Sequence, residues 1–422
     1  MPVTAFPSVA DVAQATPADR DRAIDVIRIG SLLGVITGHT LMATSIITDE
    51  VFHWDNLLTT SVAFQALTWI FQIMPLFFFA GVAASVESYQ GNWGNWLLKR
   101  CARLYRPVFS YLAFWAVALA VLRRIAPVHV YEPVAGISTQ LLWFLGAYVL
   151  VLAAVPLLSR ITTAARLAGA VVVGYGTIAV VDVVRINDAD LSWLGYANLT
   201  VWLLPGMLGV AYRRGLLRPP TAAVLGVAML AVNMSLLRFG PYELSLVGIE
   251  GQHLKNMTPP SLLMAGHAIM LCAFAITAAP AIARWARRPR VWWLTVIGNS
   301  GAMTLYLWHM PALLGMHLAF DQLGLPRYPG HPHLLALSVV QVVLMAVLVA
   351  ALFLTLRPLE NKPLPYWDGG TVTVTRSAAV GTLLCVAGAA TLASVGWGLK
   401  GPGLLCGAVL LTALVTARSL AR

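Results

Sequence analysis

Long apolar runs separated by short polar segments occupy the chain from about residue 24 onward. A helix needs about 20 mostly apolar residues to cross the roughly 30 Å hydrocarbon layer of a bilayer. Runs approaching that length lie near residues 24–46, 62–86, 105–122, 138–158, 167–184, 192–212, 221–237, 260–282, 291–317, 334–356, 377–397 and 403–418. The pattern therefore predicts an all-α, polytopic transmembrane bundle of about 12 spans.

Composition supports a membrane protein and excludes a soluble one. Hydrophobic residues make up 59% of the 422 residues, charged residues only 11%, and the mean hydropathy is +0.77. Soluble domains carry about 25% charged residues, because their surface faces water. The four cysteines are far apart and give neither a disulfide framework nor a metal-binding spacing, so no metal is expected.

The distribution of charge predicts the orientation in the membrane. The chain has 28 Lys and Arg against 17 Asp and Glu, a net charge of +11. With the N-terminus inside, about three-quarters of the basic residues fall in cytoplasmic loops, as the positive-inside rule requires. This predicts that both termini are cytoplasmic. The same scattering of basic residues between apolar runs argues against a nucleic-acid partner.

The first span carries the most informative polar residues. Arg28 and His39 are separated by about three helical turns, so they lie near one face and about 16 Å apart along the axis. Asp25 is placed one turn before Arg28, where it can orient the guanidinium. Arg suits phosphate binding and His suits proton transfer near neutral pH. The structural alternatives are an interfacial anchor for Arg28 and a packing histidine for His39.

Two further segments are candidates. Arg100, Arg103 and Arg106 recur every three residues in a predicted cytoplasmic loop, where they could hold a phosphorylated carrier or the anionic lipid surface. Residues 298–311 begin after a loop of four arginines and carry His309 about two-thirds of the way across the membrane. An ionisable side chain at that depth is a functional candidate by default.

These motifs together resemble the integral-membrane acyltransferase family 3, bacterial O-acyltransferases that modify surface polysaccharides and other glycosylated or secreted molecules. The resemblance rests on Arg28 and His39 in the first span and on residues 74–81, Met-Pro-Leu-Phe-Phe-Phe-Ala-Gly. It continues through the basic segment 100–107, the Leu-Trp-Phe-Leu of residues 142–145, and residues 298–309. The motifs cover residues 20–357 in the expected order.

The chain departs from the family pattern at several points. Ala80 replaces a serine, and Phe144 and Tyr148 stand where many members have Ser and Glu, so no role for that carboxylate carries over. The resemblance divides the chain into a cytoplasmic, disordered segment 1–22 and a ten-span acyltransferase-like core 23–357. A cytoplasmic loop 358–376 and an extra transmembrane hairpin 377–422 complete it. No extracytoplasmic domain is expected.

The resemblance implies an acyl-CoA donor, commonly acetyl-CoA, that enters from the cytoplasm of a bacterium and acylates a hydroxyl of a cell-envelope glycan, glycolipid or secreted glycosylated molecule. The donor phosphates would meet Arg28, Arg100, Arg103 and Arg106. His39 would act as general base, with Ser300, Tyr306 or His309 supplying hydrogen bonds to the oxyanion. Either direct transfer or an acyl-enzyme remains open.

Two other classes of protein share parts of this pattern. A secondary transporter or flippase would also have about 12 spans and could use His39 in a proton relay, but Asp182 is the only carboxylate well inside a predicted span. A membrane scaffold or sensor subunit would explain the topology but not the pairing of Arg28 with His39. The ordered motifs favour the enzyme.

Overall fold

The computed structural model describes residues 6–249 and 254–421. The helices are α1 (Val9–Ala15), α2 (Arg22–Met42), α3 (Val62–Phe71), α4 (Pro75–Ala83), α5 (Trp93–Ile125), α6 (Val128–Ile137), α7 (Leu142–Ala153), α8 (Val155–Leu158), α9 (Ala164–Asn187), α10 (Leu203–Arg213), α11 (Pro219–Phe239), α12 (Leu262–Trp285), α13 (Pro289–Asn299), α14 (Ala302–Gln322), α15 (Leu334–Asn361), α16 (Ser377–Ser394) and α17 (Pro402–Ser419). A 3-10 segment, Ala189–Trp202, joins α9 to α10, and shorter ones are Leu57–Thr59, Val86–Ser88 and Val374–Arg376. Strands β1 (Ala43–Thr48) and β2 (Val51–Asn56) form a two-stranded sheet.

The predicted polytopic helical bundle is confirmed. Among the described residues, eleven helical segments are long and apolar enough to cross a membrane, against about 12 predicted. Helix α14 is not among these eleven, because His309, His317 and other polar residues lower its mean hydropathy. The predicted run 291–317 is also broken, since α13 ends at Asn299 and α14 begins at Ala302.

Helix α2 occupies the middle of the bundle and packs against α3, α4, α12, α13, α14 and α15. Two glycines of α2 allow the close approach of the α3–α4 region. A Cβ at Gly38 would lie 2.9 Å from the Cβ of Phe71, and one at Gly34 would lie 3.2 Å from Ile73. These contacts bring the break between α3 and α4 against the stretch of α2 that precedes His39.

The C-terminal pair of helices is packed into the bundle. Helices α16 and α17 pack against each other, and α16 also packs on α5 and α7. At the contact with α7, a Cβ on Gly146 would lie 2.6 Å from the carbonyl oxygen of Gly388. Small residues at such crossings allow helix backbones to approach closely in a membrane.

A β-hairpin follows α2 directly, which the hydropathy pattern did not predict. Its register pairs Ala43 with Asn56 and Thr48 with Val51. The turn residues Asp49 and Glu50 have φ angles of 49° and 62°. Positive φ at both positions belongs to the tight turn whose twist matches that of paired strands. We call this end of the bundle the hairpin end, and the opposite end, which carries Arg28, the basic end.

The segment before α2 also differs from the sequence expectation. Disorder was predicted for residues 1–22, but α1 forms within them. Ser8 Oγ accepts a hydrogen bond from the Asp11 N–H at 3.1 Å, and the Asp11 carboxylate accepts one from the Ser8 N–H at 2.9 Å. This reciprocal capping stabilises a short helix that few intrahelical hydrogen bonds would hold alone.

Candidate functional site

Two histidines from distant parts of the chain meet inside the bundle. His39, in the last turn of α2, and His309, in the middle of α14, have Nδ1 and Nε2 respectively 3.0 Å apart. Their rings are stacked with centroids 5.2 Å apart and planes 24° from parallel. His309 is almost fully buried, with 1% exposure, whereas His39 is only partly buried. The structure therefore brings together two of the residues that the sequence singled out separately.

A backbone carbonyl sets the direction of the hydrogen bonds in this pair. His309 Nδ1 lies 3.2 Å from the carbonyl oxygen of Leu305, which can only accept a hydrogen bond. In an uncharged His309, Nδ1 therefore carries the proton and Nε2 is an acceptor. His39 Nδ1 must then donate to His309 Nε2. The unprotonated nitrogen of His39 is Nε2, on the partly accessible side of the pair.

The helix that carries His39 is held at its C-terminus by residues from the hairpin end. Arg327 donates to the carbonyls of Leu41, at 3.0 Å, and of Ala43. Gln341 of α15 donates to the carbonyl of Thr40 at 2.5 Å. Burial lowers the pKa of Arg327 to about 10, so it stays charged at neutral pH. A positive charge at a helix C-terminus is favourable, and here it fixes the turn containing His39.

The helix that carries His309 is held at its N-terminus. The Glu360 carboxylate accepts hydrogen bonds from the Thr304 N–H at 2.8 Å and the Thr304 hydroxyl at 2.9 Å. Glu360 belongs to α15, the same helix that supplies Gln341 to α2. Helix α15 thus contacts both of the helices that carry the histidine pair.

At the basic end, Arg28 is positioned by an amide and a carboxylate. Its Nε donates to Asn299 Oδ1 at 2.8 Å, and its Nη2 lies 3.5 Å from Asp25 Oδ1. Asn299 in turn donates to the backbone carbonyl of Asp25 at 2.9 Å. Arg20 makes two closer contacts with the Asp25 carboxylate, at 2.6 and 2.8 Å. The role predicted for Asp25 therefore extends to two guanidinium groups.

A cavity of about 480 Å³ adjoins this cluster. Arg28, Asp25, Asn299 and Ser300 line it from α2 and the α13–α14 break, and residues preceding α2 line its other side. The volume lies in the range of sites that hold small molecules and cofactors. Guanidinium groups are suited to binding phosphate, because one planar guanidinium can donate two parallel N–H hydrogen bonds to the phosphate oxygens.

The three arginines of the predicted basic row have different surroundings. Arg100 stacks over the Trp96 ring, 4.5 Å from its centroid, and donates to the Ser88 hydroxyl. Arg103 is exposed. Arg106 forms an ion pair with Asp368 at 2.5 Å and donates to the Glu360 carbonyl at 2.7 Å. Arg106 therefore ties α5 to α15 and the following loop, which identifies a structural role for it.

Tyr148 stands where many members of the resembled family have a glutamate. Its hydroxyl interacts electrostatically with both Arg28 and Arg100. The absence of a side chain at Gly81 makes room for it, because a Cβ there would collide with the Tyr148 hydroxyl. An uncharged hydroxyl thus stands where many members of the resembled family have a carboxylate, and the carboxylate beside Arg28 is that of Asp25.

Ser300 and Tyr306 do not join the histidine pair through their hydroxyl groups. Ser300 lies at the basic end, where it donates to the Ile297 carbonyl at 2.6 Å and accepts from Arg357 at 2.7 Å. The Tyr306 ring lies 6.0 Å from that of His309, but its hydroxyl donates to the Leu141 carbonyl at 2.8 Å. Both hydroxyl protons are committed to backbone carbonyls, so these residues are placed to position the helix rather than to stabilise an oxyanion.

The intramembrane carboxylate Asp182 is saturated by hydrogen bonds near the hairpin end. It pairs with Arg185 at 2.7 Å and accepts hydrogen bonds from Asn198 at 2.7 Å, Tyr242 at 3.0 Å and the Leu262 N–H at 2.6 Å. A carboxylate held by four donors joins α9 to its neighbours. It is poorly placed to carry protons, because each proton would have to displace one of those donors.

A second cavity, of about 580 Å³, opens between the hairpin and α6. His53, Trp54 and Asp55 of β2 line it together with Gln140. The Trp54 ring lies 5.1 Å from that of His317, which is about two turns beyond His309 on α14. We call this cavity the hairpin groove. Its lining combines an aromatic face with side chains that donate and accept hydrogen bonds.

Sequence reasoning missed several of these residues. Asn299 lies inside residues 298–311, but nothing in the sequence indicates that it would bind Arg28. Arg20, Arg327 and Gln341 carry no local signal at all, since their partners are brought together only by the packing of helices.

In the described residues 6–249 and 254–421, there is no group of three His, Cys, Asp or Glu side chains that could hold a metal ion.

A family model described as an acyltransferase domain matches residues 21–356, well over half of the 422-residue chain. The matched range includes α2 with Arg28 and His39, and α14 with His309. No curated protein and no solved structure matches the chain.

Proposed function

Because the chain belongs to the integral-membrane acyltransferase family 3, we propose that it transfers an acyl group, in the simplest case acetyl, from acyl-CoA to a hydroxyl group. It is a multi-pass membrane protein. The proposed setting is a bacterial cytoplasmic membrane with the basic end in the cytoplasm. The donor then binds at the basic end, and the acceptor, a cell-envelope glycan or another glycosylated molecule, binds at the hairpin end.

The observation that carries this proposal is the hydrogen bond from His39 Nδ1 to His309 Nε2. It leaves His39 Nε2 unprotonated and therefore able to act as a general base. In the proposed reaction, Nε2 takes the proton of an acceptor hydroxyl while that oxygen attacks the thioester carbonyl carbon. The carbon–sulfur bond then breaks, and the CoA thiolate leaves with the proton returned from His39. Direct transfer needs no covalent intermediate on the protein.

The cavity at the basic end supports the donor assignment. Acyl-CoA carries its phosphates at one end of a long, flexible arm and its thioester at the other. Arg28 and His39 are on one helix, about 16 Å apart along its axis, which suits a donor held by its phosphates with the thioester reaching inward. Arg28 keeps hydrogen-bonding capacity for phosphate, since its contact with Asp25 is as long as 3.5 Å.

The hairpin groove supports an acceptor rich in hydroxyl groups. Trp54 offers an apolar ring face, while Asp55, His53 and Gln140 offer hydrogen-bonding groups around it.

The proposal is tested with purified protein in lipid nanodiscs. Radiolabelled acetyl-CoA is supplied with a panel of methyl glycosides, and the labelled products are separated from the donor. We expect label to appear in an ester that mild alkali cleaves. A secondary transporter would instead leave every glycoside unlabelled and accumulate solute in sealed vesicles. Asp182, the only carboxylate well inside a predicted span, already accepts hydrogen bonds from several donors and is poorly placed for a proton relay. This favours the enzyme over a transporter.

A further inference from the structure

The segment that precedes the first span lies across the basic end and is anchored there. We call residues 6–21 the N-terminal strap. At its start, the Phe6 ring stacks on Phe353 with centroids 6.3 Å apart, and the Arg357 guanidinium lies 4.8 Å from its centroid. The Pro7 carbonyl accepts a hydrogen bond from the Trp293 indole at 2.7 Å. The strap is therefore attached to both α13 and α15.

The other end of the strap is anchored equally well. Thr16 Oγ1 accepts a hydrogen bond from the Trp292 indole at 2.7 Å. Four residues later, Arg20 makes its paired hydrogen bonds to Asp25, and these raise the pKa of the guanidinium. Between the two anchors runs α1, with its capping interaction at Ser8. A segment with regular structure and fixed ends forms a wall.

That wall forms one side of the 480 Å³ cavity. More than half of the residues that line the cavity belong to the strap, among them Val12, Thr16 and Arg20, and the others include Arg28 and Asn299. Without the strap, Arg28 would lie on an open surface. With it, Arg20 and Arg28 line a common cavity from two sides.

The arrangement of charge permits Arg20 to exchange partners. Asp25 is buried, with 4% exposure, so it needs a positively charged partner at all times. Two are present, because Arg20 binds it closely and Arg28 lies 3.5 Å from the same carboxylate. The Arg20 side chain is 50% exposed and can turn toward a ligand while Arg28 keeps Asp25 paired. Asp11 also lines the cavity, but it is exposed and its charge is screened by solvent.

We propose that the N-terminal strap is part of the donor site and that Arg20 binds the phosphates of acyl-CoA together with Arg28. The proposal rests on the acyl-CoA-dependent reaction proposed above. It assigns a binding role to a segment that the hydropathy pattern treats as a tail. It also separates two functions along the donor, with the strap holding the phosphates and the histidine pair acting on the thioester.

The test uses Arg20→Gln in the full chain, in nanodiscs, with acetyl-CoA and with S-acetylpantetheine, which has the same thioester but no phosphate. Loss of a charge-assisted hydrogen bond to phosphate should raise the KM for acetyl-CoA about tenfold with kcat unchanged. The KM for S-acetylpantetheine should be the same in both proteins. Arg287→Gln, which changes an exposed arginine at the same end outside the cavity, should match the wild type with both donors.

The outcomes distinguish this proposal from the one on which it rests. If the wild type transfers acetyl groups and Arg20→Gln has an unchanged KM for acetyl-CoA, the role of the strap is refuted and the enzyme remains. An equal rise in KM for both donors also refutes phosphate binding, because a merely structural defect would act on both. If the wild type transfers nothing from acetyl-CoA, both proposals fail.

Discussion

The bond between His39 and His309 gives a prediction that can be worked through in numbers. Replacing His309 with Leu removes the acceptor of the His39 Nδ1–H, which lies 3.0 Å away in the native protein. A buried donor without a partner costs about 1–3 kcal/mol. That cost disfavours the tautomer with Nε2 unprotonated by about 5- to 150-fold. We therefore expect kcat to fall by about 10- to 100-fold with the KM for acetyl-CoA unchanged.

A matched variant separates tautomer control from packing. In His309→Gln, the amide oxygen can reach the position of the imidazole Nε2 and accept the same hydrogen bond. We expect this variant to keep at least about ten times the kcat of His309→Leu, within the range set by that bond. Steady-state kinetics of both variants in nanodiscs, with thermal denaturation to compare their stability, provide the measurement. Equal activity of the two variants, or a wild-type kcat in His309→Leu, would refute the reasoning.

Three further predictions concern the two ends of the bundle and its centre. Arg28→Ala should raise the KM for acetyl-CoA about tenfold or more with little change in kcat. Steady-state kinetics provide the measurement, and an equal rise in KM for the control Arg287→Ala would contradict a specific role for Arg28. Trp54→Ala should raise the KM for the methyl glycoside acceptor but leave the KM for acetyl-CoA unchanged; an equal effect of Trp397→Ala, outside the hairpin groove, would argue against a binding role. Tyr306→Phe should cost about 1 kcal/mol of stability, seen as a lower melting temperature with kcat nearly unchanged, whereas a hundredfold loss of kcat would restore a chemical role to its hydroxyl.

The features that follow from local sequence were predictable. Hydropathy over windows of about 20 residues is set by the solvent around each helix, so the spans of a polytopic bundle could be predicted without any knowledge of packing. The position of Arg28 and His39 on one helix also needs only the helical repeat. Both belong to a single element, α2 (Arg22–Met42).

The features that depend on contacts between helices were not predictable. His39 and His309 are 270 residues apart in sequence, and nothing local indicates that they share a hydrogen bond. The same holds for Arg327, which is on a loop yet caps α2. The N-terminal strap is a different case. Its polar composition is typical of disordered tails, but two tryptophans of α13 and the carboxylate of Asp25 fix it in place.

The structure also changes the interpretation of the basic residues. The prediction from their distribution that both termini are cytoplasmic stays a prediction. Of the arginines predicted to bind the donor, Arg106 is held in an ion pair with Asp368, whereas Arg28 lines a cavity. We therefore expect position relative to the cavity, rather than spacing along the chain, to distinguish donor-binding arginines from structural ones.

The central claim is that His39 is the general base for acyl transfer. The most direct test is single-turnover transfer from radiolabelled acetyl-CoA to the glycoside acceptor by His39→Ala, beside His129→Ala, which removes an exposed histidine outside both cavities. We predict that His39→Ala folds in the membrane, binds acetyl-CoA as the wild type does, and loses about 10²–10⁴-fold in the rate of transfer, while His129→Ala retains the wild-type rate. Transfer by folded His39→Ala at the wild-type rate would contradict the account.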